Sequence, residues 1–138
     1  MSAALLTGLS RTTDATAMLR RFLALDAIAT GVNGLAYAMA SGPIGRLLGV
    51  DDRVLLPLGV LLVLYGVSVG ALAARPEPPA ALVKLVIDSN LLWAALSVTS
   101  LALWIDPEPA GAVWIPSQAL IGIAFATLQW SALRRKTP

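Results

Sequence analysis

Two carboxylates stand inside stretches of the chain that are otherwise almost free of charge, Asp26 and Asp88. Asp26 follows Arg21 by five residues and Asp88 follows Lys84 by four. At ~1.5 Å rise per helical residue, both sit roughly 6 to 8 Å inward from a flanking cation, hence at one depth. Asp26 also opens a series with Thr30, Asn33, Tyr37 and Ser41 at i, i+4, i+7, i+11 and i+15, which is one face of a helix. A second series, Gln118, Gly122, Phe125 and Gln129, keeps the same spacing, and Gly59, Gly66 and Gly70 form a stripe of small residues. Gln129 and Gly70 each precede an arginine by five residues, so both are expected at the depth of the two carboxylates. Around Asn90 the pattern divides: Asn90, Trp93, Ser97, Ser100 and Trp104 share one stripe, and Asp88, Ala95 and Thr99 lie nearly opposite.

Neighbouring carboxylates in a low-dielectric pocket repel, so one of them is expected to hold a proton and to act as a general acid toward an alkene or epoxide. Asp26 and Asp88 are therefore the candidate catalytic pair, with Thr30, Asn33, Tyr37, Tyr65, Asn90, Trp93 and Gln129 as candidate ligand-binding residues. Plainer roles exist for the same side chains. Lys84 is placed for an i, i+4 ion pair with Asp88, and buried amides join membrane helices at about 0.6 kcal/mol each. The chain has neither Cys nor His, which removes thiolate and imidazole chemistry; no metal site and no cofactor are expected.

The elements that position these residues follow from composition. Of the 138 residues 57% are hydrophobic and 13% charged, against about 25% charged in soluble domains. Four runs, 22–42, 54–74, 85–105 and 112–133, carry at most one charge each and match the roughly 20 residues that span a ~30 Å hydrocarbon core. They lack the alternation of barrel strands, so they are predicted as helices. The expected fold is a single all-α domain over 1–138, a transmembrane four-helix bundle with antiparallel up-down connections and helices near 20–42, 54–74, 82–105 and 112–133.

Orientation follows from the basic residues. Arg11, Arg20, Arg21, Arg75, Lys84, Arg134, Arg135 and Lys136 fall on one side, against only Arg46 and Arg53 on the other. Both termini are therefore expected in the cytoplasm. Trp104 and Trp114 would then flank the outer interface and Trp130 the inner one. The first 18 residues, with Arg11 and Asp14, lack the pattern of a cleaved signal peptide. Segment 43–53 reads as a short amphipathic turn on the outer interface, and the Pro-rich links 75–79 and 106–111 read as tight connections. The net charge of +2 is spread among helix ends, a topogenic pattern rather than a nucleic-acid surface.

At LALDAIATGVNGLAY (23–37), NLLW (90–93) and TLQW (127–130) the chain resembles small four-helix integral membrane proteins of actinobacterial type, and its overall layout is distantly similar to the DoxX-like group. The resemblance covers nearly the whole chain through hydropathy, and it implies a multi-pass protein of a bacterial cytoplasmic (inner) membrane. By analogy, the bundle also resembles the sterol-isomerase and sigma-2-receptor group, whose intramembrane carboxylates meet lipophilic amines or sterols. The His that those isomerases use is absent.

Three functions remain open on the sequence. One is an intramembrane pocket around Asp26 that binds a lipophilic small molecule or transforms it by isomerase- or cyclase-like chemistry. Another is proton-coupled export of lipophilic compounds, and a third is an accessory subunit of a membrane complex. The expected partners are membrane lipid, the lipophile and a second copy of the chain as a homodimer.

Overall fold

The computed structural model describes residues 3–103 and 106–136, with side chains described over 14–103 and 106–136. Among them are five helices, α1 (Ala3–Met39), α2 (Ser41–Leu48), α3 (Asp52–Ala74), α4 (Ala80–Leu103) and α5 (Pro109–Lys136). Asp14–Met39 within α1, and α3, α4 and α5 entire, are long and apolar enough to cross a membrane. The chain is an all-α bundle and a multi-pass membrane protein. Arg11 and Trp104, which the reading of orientation draws on, lie outside the described side chains.

The four expected spans are present, and two differences have physical reasons. First, α1 begins well before residue 20, because no proline interrupts 3–39 and its early turns have a surface to bury on: Ala15 and Leu19 are 2% and 0% exposed. Second, the turn expected at 43–53 folds in part as a helix, α2, which Gly49 ends in the left-handed region at φ 77°. The Leu48 carbonyl accepts from the Glu108 backbone N–H at 3.1 Å, tying α2 to the α4–α5 connection. Asp51 caps α3 through Oδ1, which accepts the Arg53 backbone N–H at 2.9 Å. That bond, reinforced by the Asp52 side chain and the Arg53 charge, holds the Asp51 carboxyl below the usual carboxylate range.

α1 packs along α3, α4 packs along α5, and α1 against α5 joins the two pairs. The α3–α4 connection is short, yet the two helices scarcely touch along their length. Their partners are decided by glycine. A Cβ on Gly34 would stand 2.8 Å from the Gly59 carbonyl oxygen, and one on Gly66 would stand 2.9 Å from the Gly31 nitrogen, so the α1 and α3 backbones are in near contact. Gly70, in the same small-residue stripe as Gly59 and Gly66, is not at a close approach, since a Cβ there would meet only the Ala27 Cβ at an ordinary 3.7 Å.

The core divides into two clusters. Leu19, Leu23, Val69, Leu72, Val83 and Leu133 belong to the one that fills the bundle at the end nearer the termini. There the Arg20 Nε donates to the Ala73 carbonyl oxygen at 2.9 Å, satisfying one of the free acceptors at the end of α3. Tyr37, Leu48, Leu55 and Leu62 form the other, at the α2 end. The space between the clusters holds the polar residues.

Candidate functional site

Asp26 is 1% exposed, Gln129 0% and Asn90 7%; they come from α1, α5 and α4. The Asp26 Oδ2 accepts from Gln129 Nε2 at 2.7 Å and from Asn90 Nδ2 at 2.8 Å, while Oδ1 accepts from Thr30 Oγ1 at 3.0 Å. Asn90 Nδ2 also donates to Gln129 Oε1 at 3.2 Å, closing the cluster. A carboxylate taken out of water is costly unless its oxygens are bonded, and here neutral groups supply three donors. Net hydrogen bonds to a charged group are worth about 1.5–3 kcal/mol each, which offsets an insertion cost of about 2.5–3.5 kcal/mol for a carboxylate at a helix centre.

Further along the Asp26 face, Asn33 Nδ2 donates to Gln118 Oε1 at 3.1 Å, and Trp114 Nε1 donates to the Tyr37 hydroxyl at 2.7 Å. Asp26–Gln129, Asn33–Gln118 and Tyr37–Trp114 thus form three polar rungs between α1 and α5. On the other side the Tyr65 hydroxyl donates to the Val86 carbonyl oxygen at 3.3 Å, one of the few links between α3 and α4.

A cavity of about 920 Å³ begins at Asp26 and continues past Thr30, Asn33 and Tyr37 to Ile44, Leu47 and Leu48 of α2. That volume lies within the ~300–1,000 Å³ of small-molecule sites. Its walls include Leu62, Tyr65, Trp93, Gly122 and Phe125. Its rim includes Ile28, Val32, Leu47, Leu61 and Ile121, all between 44% and 63% exposed. The cavity therefore reaches the surface of the bundle among apolar side chains. At the foot, the cluster of Leu23, Val69 and Val83 packs the bundle.

The expected site residues separate into three groups. Asp26, Thr30, Asn33, Tyr37, Tyr65, Asn90 and Trp93 line the cavity. Gln129 lies behind it as a partner of Asp26. Asp88 is a correction to the expected carboxylate pair, because it is exposed on α4 and lines no part of the cavity. Matched depth does not imply matched rotation: Asn90, two residues on, is turned by about 200° and takes the inward position. Of the two opposed stripes on α4, the one with Asn90 and Trp93 faces the cavity, and Asp88, Ala95 and Thr99 face out. Gln118 and Phe125 were visible in the sequence as members of the Gln129 series but were not among the expected site residues. Ser89 and the α2 wall had no signal there, since α2 reads as an interfacial turn. Among the described residues no group of three or more acidic side chains is placed to hold a metal.

The fold and site together define a class: a helical multi-pass membrane bundle with a carboxylate-based polar cluster at the foot of an apolar cavity. Family models, curated proteins and solved structures were each compared with the chain, and none matches it.

Proposed function

We propose that this protein resides in a bacterial inner membrane with both termini cytoplasmic and holds a lipophilic small molecule in the cavity, its polar end directed to Asp26. The observation that carries the reading is the buried carboxylate, bonded only to neutral donors, at the foot of an apolar cavity with an apolar rim. A molecule partitioned in lipid would enter across Ile28, Val32 and Leu61 without crossing water. The acid chemistry rests on two neighbouring carboxylates, and Asp88 lies outside the cavity, which leaves Asp26 as a single carboxyl group held by two amide donors. Binding is thus better supported than acid-catalysed isomerisation or cyclisation. Export has less support, because the packed cluster below Asp26 closes that end of the cavity.

Two probes of matched skeleton test this, farnesol and farnesylamine, titrated into the detergent-purified protein and read through tryptophan fluorescence, since Trp93 and Trp114 line the cavity. Saturable binding of both is expected. Ala36→Phe, which fills the cavity, should weaken both probes, and Asp26→Asn should weaken the amine by tenfold or more, equivalent to ~1.4 kcal/mol. Binding that neither substitution alters would overturn the proposal.

A further inference from the structure

The middle polar rung of the cavity has more hydrogen-bonding capacity than its own pair uses. Asn33 and Gln118 both line the cavity and share one bond, from Asn33 Nδ2 to Gln118 Oε1 at 3.1 Å. Each of these amides carries an NH2 donor group and an oxygen acceptor. Neither side chain forms a further hydrogen bond among the described residues, so the Asn33 Oδ1 is left as an acceptor and the Gln118 Nε2 as a donor. No buried side-chain nitrogen or oxygen lacks a partner among the described residues. Both atoms are therefore accessible, and the space these residues line is the cavity. Turning both amides over would exchange the two atoms and leave the same complement, one donor and one acceptor. Gln129 differs, since it uses its nitrogen on Asp26 and its oxygen on Asn90. The free groups lie seven residues along α1 from Asp26, roughly 10 Å at ~1.5 Å rise per residue. Asp26 is also the one charged residue among those lining the cavity, so the charge at its foot selects a cation.

We infer that the ligand is a long-chain amine with a secondary amide partway along its chain, the ammonium on Asp26 and the amide on Asn33 Oδ1 and Gln118 Nε2. This rests on the lipophile-binding reading of the cavity and narrows it to acylated diamines. A secondary amide answers both free groups, its N–H donating to Asn33 and its carbonyl accepting from Gln118. An ester or a ketone would answer Gln118 alone. A plain hydrocarbon chain would cover both side chains and bond neither, and a site built to hydrogen-bond its ligand discriminates against an analogue that lacks the bonding group. The separation sets the spacer. An extended chain advances about 3.3–3.6 Å over three backbone bonds, so roughly 10 Å is about nine bonds, the nitrogen-to-nitrogen length of a diaminooctane. Beyond the amide, the cavity continues past Tyr37 to Ile44 and Leu48, where the acyl tail is accommodated.

Two isomers isolate the position of the amide. N-(8-aminooctyl)hexanamide and N-(3-aminopropyl)undecanamide contain the same atoms, one ammonium and one amide, and differ only in where the amide falls along the chain. Both are titrated into the detergent-purified protein, with tryptophan fluorescence as the readout. The aminooctyl isomer should bind more tightly by about fivefold or more, the effect of one net hydrogen bond. Gln118→Met keeps the length of the side chain and removes the free donor, and Asn33→Leu removes the free acceptor. Each should weaken the aminooctyl isomer several-fold and leave the aminopropyl isomer unchanged. The ratio of the two affinities, compared between parent and variant, cancels partition of the isomers into micelles. Asp26→Asn should weaken both isomers alike. Equal affinities for the two isomers, both lowered by Asp26→Asn, would overturn the amide assignment and leave the cavity a lipophile site. A preference that persists in both Gln118→Met and Asn33→Leu would overturn it as well. Absence of saturable binding by either isomer and by farnesylamine would overturn the underlying reading together with this inference.

Discussion

Asp26 is held by two amides that are also bonded to each other, so the cluster is a closed unit rather than a set of separate pairs. Gln129 is its most sensitive member, being 0% exposed, donating to Asp26 and accepting from Asn90. Gln129→Leu keeps roughly the same bulk, removes both bonds and leaves a carboxylate and an amide short of a partner, each buried. Desolvated groups that lose a partner cost about 1–3 kcal/mol, more when charged. Thermal unfolding in detergent should therefore show Gln129→Leu well below the parent. Asp26→Asn in the same background should recover part of the loss, because the uncompensated group then carries no charge. Equal melting temperatures for Gln129→Leu and the parent would mean that water reaches Asp26 and substitutes for the amide.

Among the elements, α1 and α3 supply the closest approach in the bundle, and two glycines of one stripe behave oppositely. A Cβ at Gly59 would stand 2.5 Å from the Ala38 nitrogen and 2.7 Å from the Gly34 oxygen, backbone atoms that cannot turn aside. Gly59→Ala should separate the helices and lower the melting temperature. Gly70→Ala meets only ordinary contact and gains the better helix propensity of Ala, worth about 1 kcal/mol, so it should leave stability unchanged or raise it. Comparison of the two melting temperatures checks the assignment, and a Gly70→Ala variant less stable than Gly59→Ala would reverse it. Here the sequence informs only in part. Glycines at a spacing of seven and four announce a packing face, and Gly59 and Gly66 use it; which glycine meets which backbone depends on the crossing point, and that is set by Gly31 and Gly34 on the other helix. The same limit explains Asp88. Flanking cations gave depth, which is a count of residues, but rotation about the axis is settled only when Val83, Val86 and Ala94 take the core and leave Asp88 outside. On α1 four polar positions of one stripe fixed rotation as well as depth, which is why Asp26, Thr30, Asn33 and Tyr37 could be read together.

At the scale of the whole molecule, the cavity is asymmetric along the bundle. One end is closed by the cluster around Leu19, Val69 and Leu133, while at the other α2 and the α4–α5 connection meet through Leu48 and Glu108. Which end faces the cytoplasm therefore decides on which side of the membrane α2 covers the cavity. The proposed orientation, which rests on the charge asymmetry of eight basic side chains against two, has the closed end inward. Single cysteines test it, since exposed positions exist at both ends: Arg53 and Glu108 beside α2, and Glu77 in the α3–α4 connection. In intact cells an impermeant maleimide should modify Arg53→Cys and Glu108→Cys, and should modify Glu77→Cys only after the membrane is opened. A reversed pattern would place the α2 end in the cytoplasm. Labelling at all three positions in intact cells would mean that both orientations are inserted.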